Sequence, residues 1–242
     1  MKLIKLDAID STNDFLKSLS SQEDVENFTV VTAENQTKGK GQVGGVWKSE
    51  VGKNLIMSIL VKDFIFKNED VFNLSLLTSL SVAEVLKSLN IPDIGIKWPN
   101  DILSYNKKLV GILIENTIKS DGRIVSVVGI GVNVNQTDFS ELPTASSISV
   151  ISGKTFDKEK LAVLIVEKLK EKIQLWKTSS ESFWTDYFNF LFKKGVPTAF
   201  RDKNNQDFMG IIQGVSPIGK LQVLLEDDSV AEFEIKEVKM LY

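Results

Sequence analysis

Apolar and polar positions alternate between two periods along this chain. A strand is predicted over residues 2 to 7, and Ser11-Thr12-Asn13 then supplies short polar side chains suited to a helix N-cap, followed by Phe15, Leu16 and Leu19 on one helical face. Strands are expected at Phe28 to Ala33 and Leu55 to Val61, with a glycine-rich stretch between them from Asn35 to Gly52. The spacing of Val71, Leu74, Leu77, Val82, Val85, Leu86 and Leu89 predicts a mostly buried helix from about 70 to 89. Two long apolar strands, Leu109 to Thr117 and Arg123 to Val134, are joined through Ser120-Asp121-Gly122, a hairpin signal. Asp157 opens a helix carrying Leu161, Leu164, Ile165, Leu169, Ile173 and Trp176 at helical spacing, and a separate helix is expected over Ser182 to Phe192. Beyond Gly195 the pattern shortens to strands at 196 to 200, 208 to 215, 220 to 225 and 230 to 235, a small antiparallel barrel or sheet.

One stretch cuts across this pattern. Between Ile94-Gly95-Ile96 and the apolar run from Leu109 to Glu115 stand Lys97-Trp98-Pro99-Asn100-Asp101 and Lys107-Lys108. Pro99 cannot donate to a strand ladder and Asn100-Asp101 is turn chemistry, so the strand is expected to end there at a fixed angle. Taken singly, each piece has a plain structural reading: Trp98-Pro99 as a corner, Lys107-Lys108 as a hairpin tip, Ser11-Thr12-Asn13 as a cap. Gly129 and Gly131 in an otherwise strong strand imply a bulge or the close approach of a ligand or another backbone, and Asn133 needs partners if buried.

Composition narrows the chemistry. The 242 residues contain no cysteine and no histidine, which removes disulfides, thiolate nucleophiles, the Ser-His-Asp triad and the usual zinc ligands. Lysines, carboxylates, hydroxyls, amides and backbone N–H groups remain, a set suited to positioning and charge stabilisation. With 43% hydrophobic and 25% charged residues the chain reads as an ordinary soluble globule, and a net charge of -3 argues against broad nucleic-acid binding. No apolar stretch is long enough for a membrane span, and the start from Met1 to Asp7 lacks the core of a signal peptide, so a cytoplasmic location is expected.

Gly39-Lys40-Gly41-Gln42-Val43-Gly44 formally matches a dinucleotide-binding fingerprint, but that motif needs a helix after it. Gly45 to Gly52 has no helical period, and the dinucleotide reading is rejected. Lys38, Lys40 and Lys48, with no acid between Glu34 and Glu50, place three positive charges among exposed glycine N–H groups. That is either a solvated surface loop or an anion cradle, and Trp47 in so polar a loop favours the second.

Taken in order, Asp10-Ser11-Thr12-Asn13, Gln36 to Gly41, Trp47, Lys97 to Asp101, Lys108 to Leu113 and Gly129 to Asn133 resemble the biotin protein ligase family along essentially the whole chain. The resemblance implies an α+β fold: a mixed β-sheet flanked by helices, related to class II aminoacyl-tRNA synthetases, over 1–194, and an SH3-like barrel over 195–242. It implies activation of biotin by ATP with Mg²⁺ to biotinyl-5'-AMP, then transfer to a lysine of a biotin carboxyl carrier protein domain. A homodimer is compatible with it. By resemblance, Ser11, Thr12, Asn13, Gln36, Lys40, Gly41, Gln42, Lys108, Gly111 and Gly129 hold biotin. Lys40, Gln42, Trp47, Lys97, Asn100, Asp101, Lys108 and Asn133 fall at ATP positions, and Lys108 is the catalytic lysine.

Three departures stand out. Gln42 and Gly45 replace arginines common in the family, and glutamine cannot clamp a phosphate bidentately. Glu237 to Leu241 lacks the Gly and terminal Arg of that strand, so no ATP contact is assigned there. The chain starts at the catalytic strand, without the winged-helix domain of regulatory members, so no repressor role is expected. A lipoate or octanoate ligase on the same fold and a non-catalytic biotin-binding module are the competing readings.

Overall fold

The computed structural model describes residues 2–242 other than 66, 68 and 69. Seven strands form a mixed sheet: β1 (Leu3–Ile9), β2 (Val30–Gln36), β3 (Leu55–Lys62), β4 (Ile94–Lys97), β5 (Asp101–Ser104), β6 (Lys107–Ile118) and β7 (Ile124–Val132), in the order β1-β2-β3-β7-β6-β5-β4. β1 and β2 run parallel, joined by helix α1 (Thr12–Gln22); every other neighbouring pair is antiparallel. A parallel pair needs a crossover, and α1 supplies it.

β3 is buried at every position from Leu55 to Val61 because both faces of the sheet are covered. Met57, Ile59 and Val61 face the large core under α2 (Val71–Ser88) and α4 (Lys158–Phe190), whereas Leu60 packs with Leu16 of α1, Val31 and Val127 on the opposite face. Strand alternation puts Ser58 on the α1 face beside Leu60, fully buried. A polar side chain in that place marks where packing gives way to a site.

Several expectations change in detail. The two helices predicted after Asp157 are one element bent at Ser179 (φ −135°), ending at Phe190, and Asp157 caps its start by accepting from the N–H groups of Glu159 and Lys160 at 2.9 and 3.1 Å. A five-residue helix, α3 (Ile148–Ser152), capped by Ser147, had no periodic signal in the sequence. Asp101 is not a turn residue: it opens β5 opposite Lys97, leaving residues 98 to 100 as the turn, with a cis Trp98–Pro99 peptide. Lys107 and Lys108 do not form a hairpin tip either. They begin β6, the bend before them is at Tyr105 (φ 53°), and a register shift between Ile102 and Leu103 sets Lys108 opposite Leu103.

β8 (Pro197–Asp202), β9 (Asp207–Val215), β10 (Leu221–Leu224), β11 (Val230–Phe233) and β12 (Val238–Leu241) form the C-terminal antiparallel sheet of the SH3-like kind, in the order β11-β10-β9-β8-β12. Its Phe200, Ile212, Leu221 and Met240 belong to the same apolar core as Ile96, Trp98 and Tyr187. Trp98 Nε1 donates to Gly219 O at 2.9 Å, and a Cβ on Gly219 (φ 91°) would lie 2.6 Å from Phe72, so the β9–β10 turn is seated against both the 98–100 turn and α2.

Candidate active site

A cavity of about 240 Å³ opens on the α1 face of the sheet. Its floor is β3, β6 and β7, its back is the start of α1 and the end of β2, and the 37–52 loop forms its outer wall. Of the residues singled out from sequence, Ser11, Thr12, Asn13, Gln36, Lys40, Gly41, Gln42, Trp47, Asn100, Asp101, Lys108, Gly111 and Gly129 line it together. The structure adds Gly45, Val46, Ile56, Met57, Ile112, Leu113, Ile130 and Gly131.

The back of the cavity is polar and buried. Ser11 caps α1, its Oγ accepting from Asp14 N at 3.3 Å. Gln36 Oε1 accepts from both the N–H and the hydroxyl of Thr12, at 2.7 and 2.9 Å. Ser58 Oγ lies 2.8 Å from Thr12 Oγ1 and 2.6 Å from Asn13 Oδ1. Asn13 Nδ2 donates to Glu115 Oε2 at 2.8 Å and to Leu113 O at 3.3 Å, and Lys17 Nζ pairs with Glu115 Oε1 at 2.9 Å. Ser11, Thr12, Asn13 and Ser58 are all buried, so a polar atom left unpaired among them would be costly. The glycine of β7 predicted to admit a ligand or another backbone instead admits a side chain: a Cβ on Gly129 would sit 2.5 Å from Asn13 Oδ1.

The front is ionic. Lys108 Nζ lies 2.6 Å from Asp101 Oδ1 and 5.8 Å from the centre of the Trp47 ring. The Lys108 backbone is gripped by the segment before α3: its N–H donates to Thr144 O at 2.9 Å and its carbonyl accepts from Ser146 N at 3.0 Å. Asn100 ties the 98–100 turn to β6, donating from Nδ2 to Ile112 O at 2.7 Å and accepting from Ile112 N at 3.0 Å. Thus strand pairing fixes where the ammonium and the carboxylate stand relative to each other.

The loop is folded on itself. Trp47 N donates to Gly39 O at 3.0 Å and Gly41 N to Gly45 O at 2.7 Å, and a Cβ on Gly39 would be 2.4 Å from Trp47 O, so only glycine fits. One turn of 3₁₀ helix, Gln42–Gly44, takes the place where a dinucleotide fold needs a full helix. The Trp47 indole lies on the glycine pair Gly111 and Gly131, with a Cβ on Gly131 only 2.5 Å from Cε2. Its Nε1 is buried without a partner. The three loop charges are partly compensated by acids that local sequence did not show: Lys38 pairs with Asp10 and Lys40 with Asp14, each at 2.7 Å. Those hydrogen bonds hold the Asp10 carboxyl below its ordinary range and raise Lys38 and Lys40.

Two predicted residues lie off the cavity. Lys97 lies over the Tyr242 ring at 4.8 Å and faces a second hollow against the C-terminal sheet, which Gln42 also lines. Asn133 is buried and its amide is committed to Ser146 O at 3.0 Å, while its carbonyl accepts from Ile148 N, so it organises the approach to α3. Conversely, sequence reasoning passed over Ser58 and the role of Glu115. The signals were present: a lone hydroxyl in an apolar strand, and an acid closing an apolar run.

The family pattern described as the Biotin/lipoate A/B protein ligase family matches residues 6–135 of this chain. The bifunctional ligase/repressor BirA of Salmonella typhimurium is 31% identical over 235 residues, covering 93% of this chain and 69% of that protein. The biotin--[acetyl-CoA-carboxylase] ligase of Mycobacterium tuberculosis is 29% identical over 215 residues, covering 87% and 79%. Among solved structures, the biotin protein ligase from Aquifex aeolicus in complex with biotin and ATP superposes with a TM-score of 0.80 at 27% identity, covering 99% of this chain and 98% of that one. With its mixed sheet, its SH3-like appendage and its single cavity-lining lysine–aspartate pair, this chain belongs to the biotin/lipoate A/B protein ligase family.

Proposed function

We propose that the chain is a biotin protein ligase, which joins biotin to ATP as biotinyl-5'-AMP and then passes the biotinyl group to a lysine of a biotin carboxyl carrier protein domain. The observation that carries this reading is the polarity of one continuous cavity: a buried hydrogen-bonding end, an apolar middle of Ile56, Leu113 and the Trp47 indole, and an ionic end at Lys108 and Asp101. Biotin has the same order of parts, a cyclic urea, an aliphatic tail and a carboxylate. A dithiolane head group would leave the Gln36 Nε2 and Ser11 hydroxyl donors unpaired, which disfavours lipoate. We further propose that residues 1–194 form the catalytic unit and 195–242 a separate appendage in evolution, though the two share one core.

In the first step a biotin carboxylate oxygen attacks the α-phosphorus, an O–P bond forms, the bond to the β-phosphate bridge breaks, and pyrophosphate leaves. Two anions must approach, so the barrier is largely electrostatic, and a fixed ammonium between them lowers it. Lys108 is assigned that place, with Ser11, Thr12, Asn13, Gln36, Gly111 and Gly129 around the head group and tail. Lys40, Gly41 and Gln42 lie along the tail and phosphate. Trp47, Asn100 and Asp101 are assigned to the nucleotide, with Lys97 and Asn133 in supporting positions. Next, the neutral amine of the carrier lysine attacks the acyl carbon, a C–N bond forms, the C–O bond to the phosphate breaks, and AMP departs while the amine loses a proton.

The Mg²⁺ expected with ATP fits a site with one carboxylate, since Mg²⁺ is commonly held by one or two carboxylates and substrate phosphates. Among the described residues Asp101 is the one acid on the cavity wall, and no cluster of three or more metal-ligating side chains exists. Asp101 would hold the ion, which would neutralise triphosphate charge. Among the described residues no helix is long and apolar enough to cross a membrane, in keeping with a ligase that meets a mobile carrier domain in the cytoplasm. The deciding experiment is biotin-dependent exchange of ATP with labelled pyrophosphate. Exchange with biotin and none with lipoate is expected; exchange with lipoate alone would move the assignment to the other branch of the family.

A further inference from the structure

Glu115 lies outside the cavity wall, yet it ends a chain of hydrogen bonds that reaches the cavity through buried atoms. Its carboxylate can only accept. Asn13 must therefore turn its Nδ2 toward Glu115 Oε2 (2.8 Å) and Leu113 O (3.3 Å), both acceptors, and its Oδ1 toward Ser58. Ser58 has a single proton and two neighbours, Asn13 Oδ1 at 2.6 Å and Thr12 Oγ1 at 2.8 Å. Because Asn13 Oδ1 has no proton to offer, Ser58 donates to it and faces Thr12 as an acceptor.

The consequence appears at the cavity. The Thr12 hydroxyl proton is spent inward, on Ser58 Oγ or on Gln36 Oε1 at 2.9 Å, so Thr12 turns a lone pair outward. Gln36 Oε1 is held by the Thr12 N–H at 2.7 Å, which leaves Gln36 Nε2 as a donor without a protein partner, and the Ser11 hydroxyl is likewise free to donate. One acceptor between two donors is the complement of a urea, in which an N–H stands next to a carbonyl that takes two hydrogen bonds.

We infer that Glu115 is a positioning residue that fixes the direction of this relay through Asn13 and Ser58, and thereby makes the polar end of the cavity selective for a cyclic urea. The inference rests on the biotin reading. It is built on Glu115 as an obligate acceptor, and Lys17, paired with the other carboxylate oxygen at 2.9 Å, holds it there.

Glu115→Gln tests it, because glutamine keeps the shape but can offer an amide N–H and so lets Asn13 turn over. Loss of one charge-assisted direction is expected to raise the KM for biotin in the exchange assay about tenfold. The KM for ATP should stay unchanged, kcat should stay within about twofold, and desthiobiotin, which keeps the urea but lacks the thioether ring, should lose the same factor. Ser58→Ala, which cuts the relay at its centre, should give a like rise, and the double variant should be no worse than either single one. An unchanged biotin KM in both variants, strictly additive losses in the double variant, or a parallel rise in the KM for ATP would each overturn the relay. If Glu115→Gln does not fold, Ser58→Ala alone decides by the same biotin-against-ATP split. A wild-type chain with no biotin-dependent exchange would instead remove the functional reading underneath.

Discussion

The two ends of the cavity are organised by opposite means. At the back, Ser11, Thr12, Asn13 and Ser58 are buried and locked by hydrogen bonds whose donors and acceptors are assigned through a chain of contacts that ends on the Glu115 carboxylate. At the front, Lys38 and Lys40 are held by Asp10 and Asp14 in pairs that remain open to solvent, and Lys108 by Asp101 in a more sheltered one. The difference suits the two halves of the proposed ligand. A neutral urea gains little from charge, so its site must be built in advance from dipoles that need not reorganise. A triphosphate brings its own charges and can exchange with carboxylates that already occupy the lysines. Preorganisation at one end and replaceable ion pairs at the other give one cavity two ways of recognising.

The strongest test of this contrast is Lys108→Ala. It removes the one ammonium assigned to the reacting atoms while leaving the buried network untouched. Biotin-dependent pyrophosphate exchange should fall about a thousandfold, the scale of losing a fixed charge-stabilising donor. Biotin binding measured by calorimetry should change by no more than about threefold, and thermal stability should hold, because the Lys108 side chain is about a third exposed (34%) and its backbone bonds remain. An unchanged exchange rate would remove Lys108 from the centre of the reaction.

Gly129 and Gly131 offer a finer separation, since they stand two residues apart on β7 and meet the two ends separately. Alanine at 129 drives a Cβ to 2.5 Å from Asn13 Oδ1; alanine at 131 drives one to 2.5 Å from the Trp47 indole. Each should destabilise the fold by about 1–3 kcal/mol, the usual cost of overpacking. Steady-state kinetics should split them: Gly129→Ala raises the KM for biotin about tenfold with ATP unaffected, and Gly131→Ala does the reverse. If both variants raise both constants equally, the ends are not independent.

That pair also shows where sequence reading reached and where it stopped. Two glycines in an apolar strand announced a close approach, but local pattern could not say that the approaching groups were Asn13 and Trp47, more than 80 positions away in the chain. Elements with strong periodicity, such as α2 and the β6–β7 hairpin, were legible to within a few residues because burial on a defined face fixes their period. Asp101 was misread because turn chemistry in Asn100-Asp101 competed with a strand only four residues long, whose pairing with Lys97 is a tertiary fact. The loop's three positive charges were visible, yet the partners of Lys38 and Lys40 arrive from the β1–α1 connection (Asp10) and from α1 (Asp14), across a βαβ crossover. Asn133 looked like a ligand contact for the same reason that it is buried: an amide inside an apolar run must be satisfied, and here its Nδ2 donates to the carbonyls of Ser146 and Lys108.

The weakest expected effect bears on the ionic end itself. Asp10 is depressed by its hydrogen bond to Lys38, so its contribution to stability is fully present above the ordinary carboxylate range and is lost as pH falls through the depressed value. Lys38 and Lys40 are raised by their acids, so their contributions are present below the ordinary lysine range and are lost only as pH climbs past it. Both windows leave the span from about pH 5 to pH 9 flat, and fully exposed pairs add little in any case. The paired variant Asp10→Asn with Asp14→Asn should therefore melt at the wild-type temperature throughout that range. Its KM for ATP should fall about two- to threefold at low salt, because the lysines no longer have carboxylates to leave, and the gain should vanish near 0.5 M salt as screening equalises the two proteins. A rise in the KM for ATP would mean that Asp10 and Asp14 aim the lysines rather than compete for them, and the ionic end would then be as preorganised as the polar one.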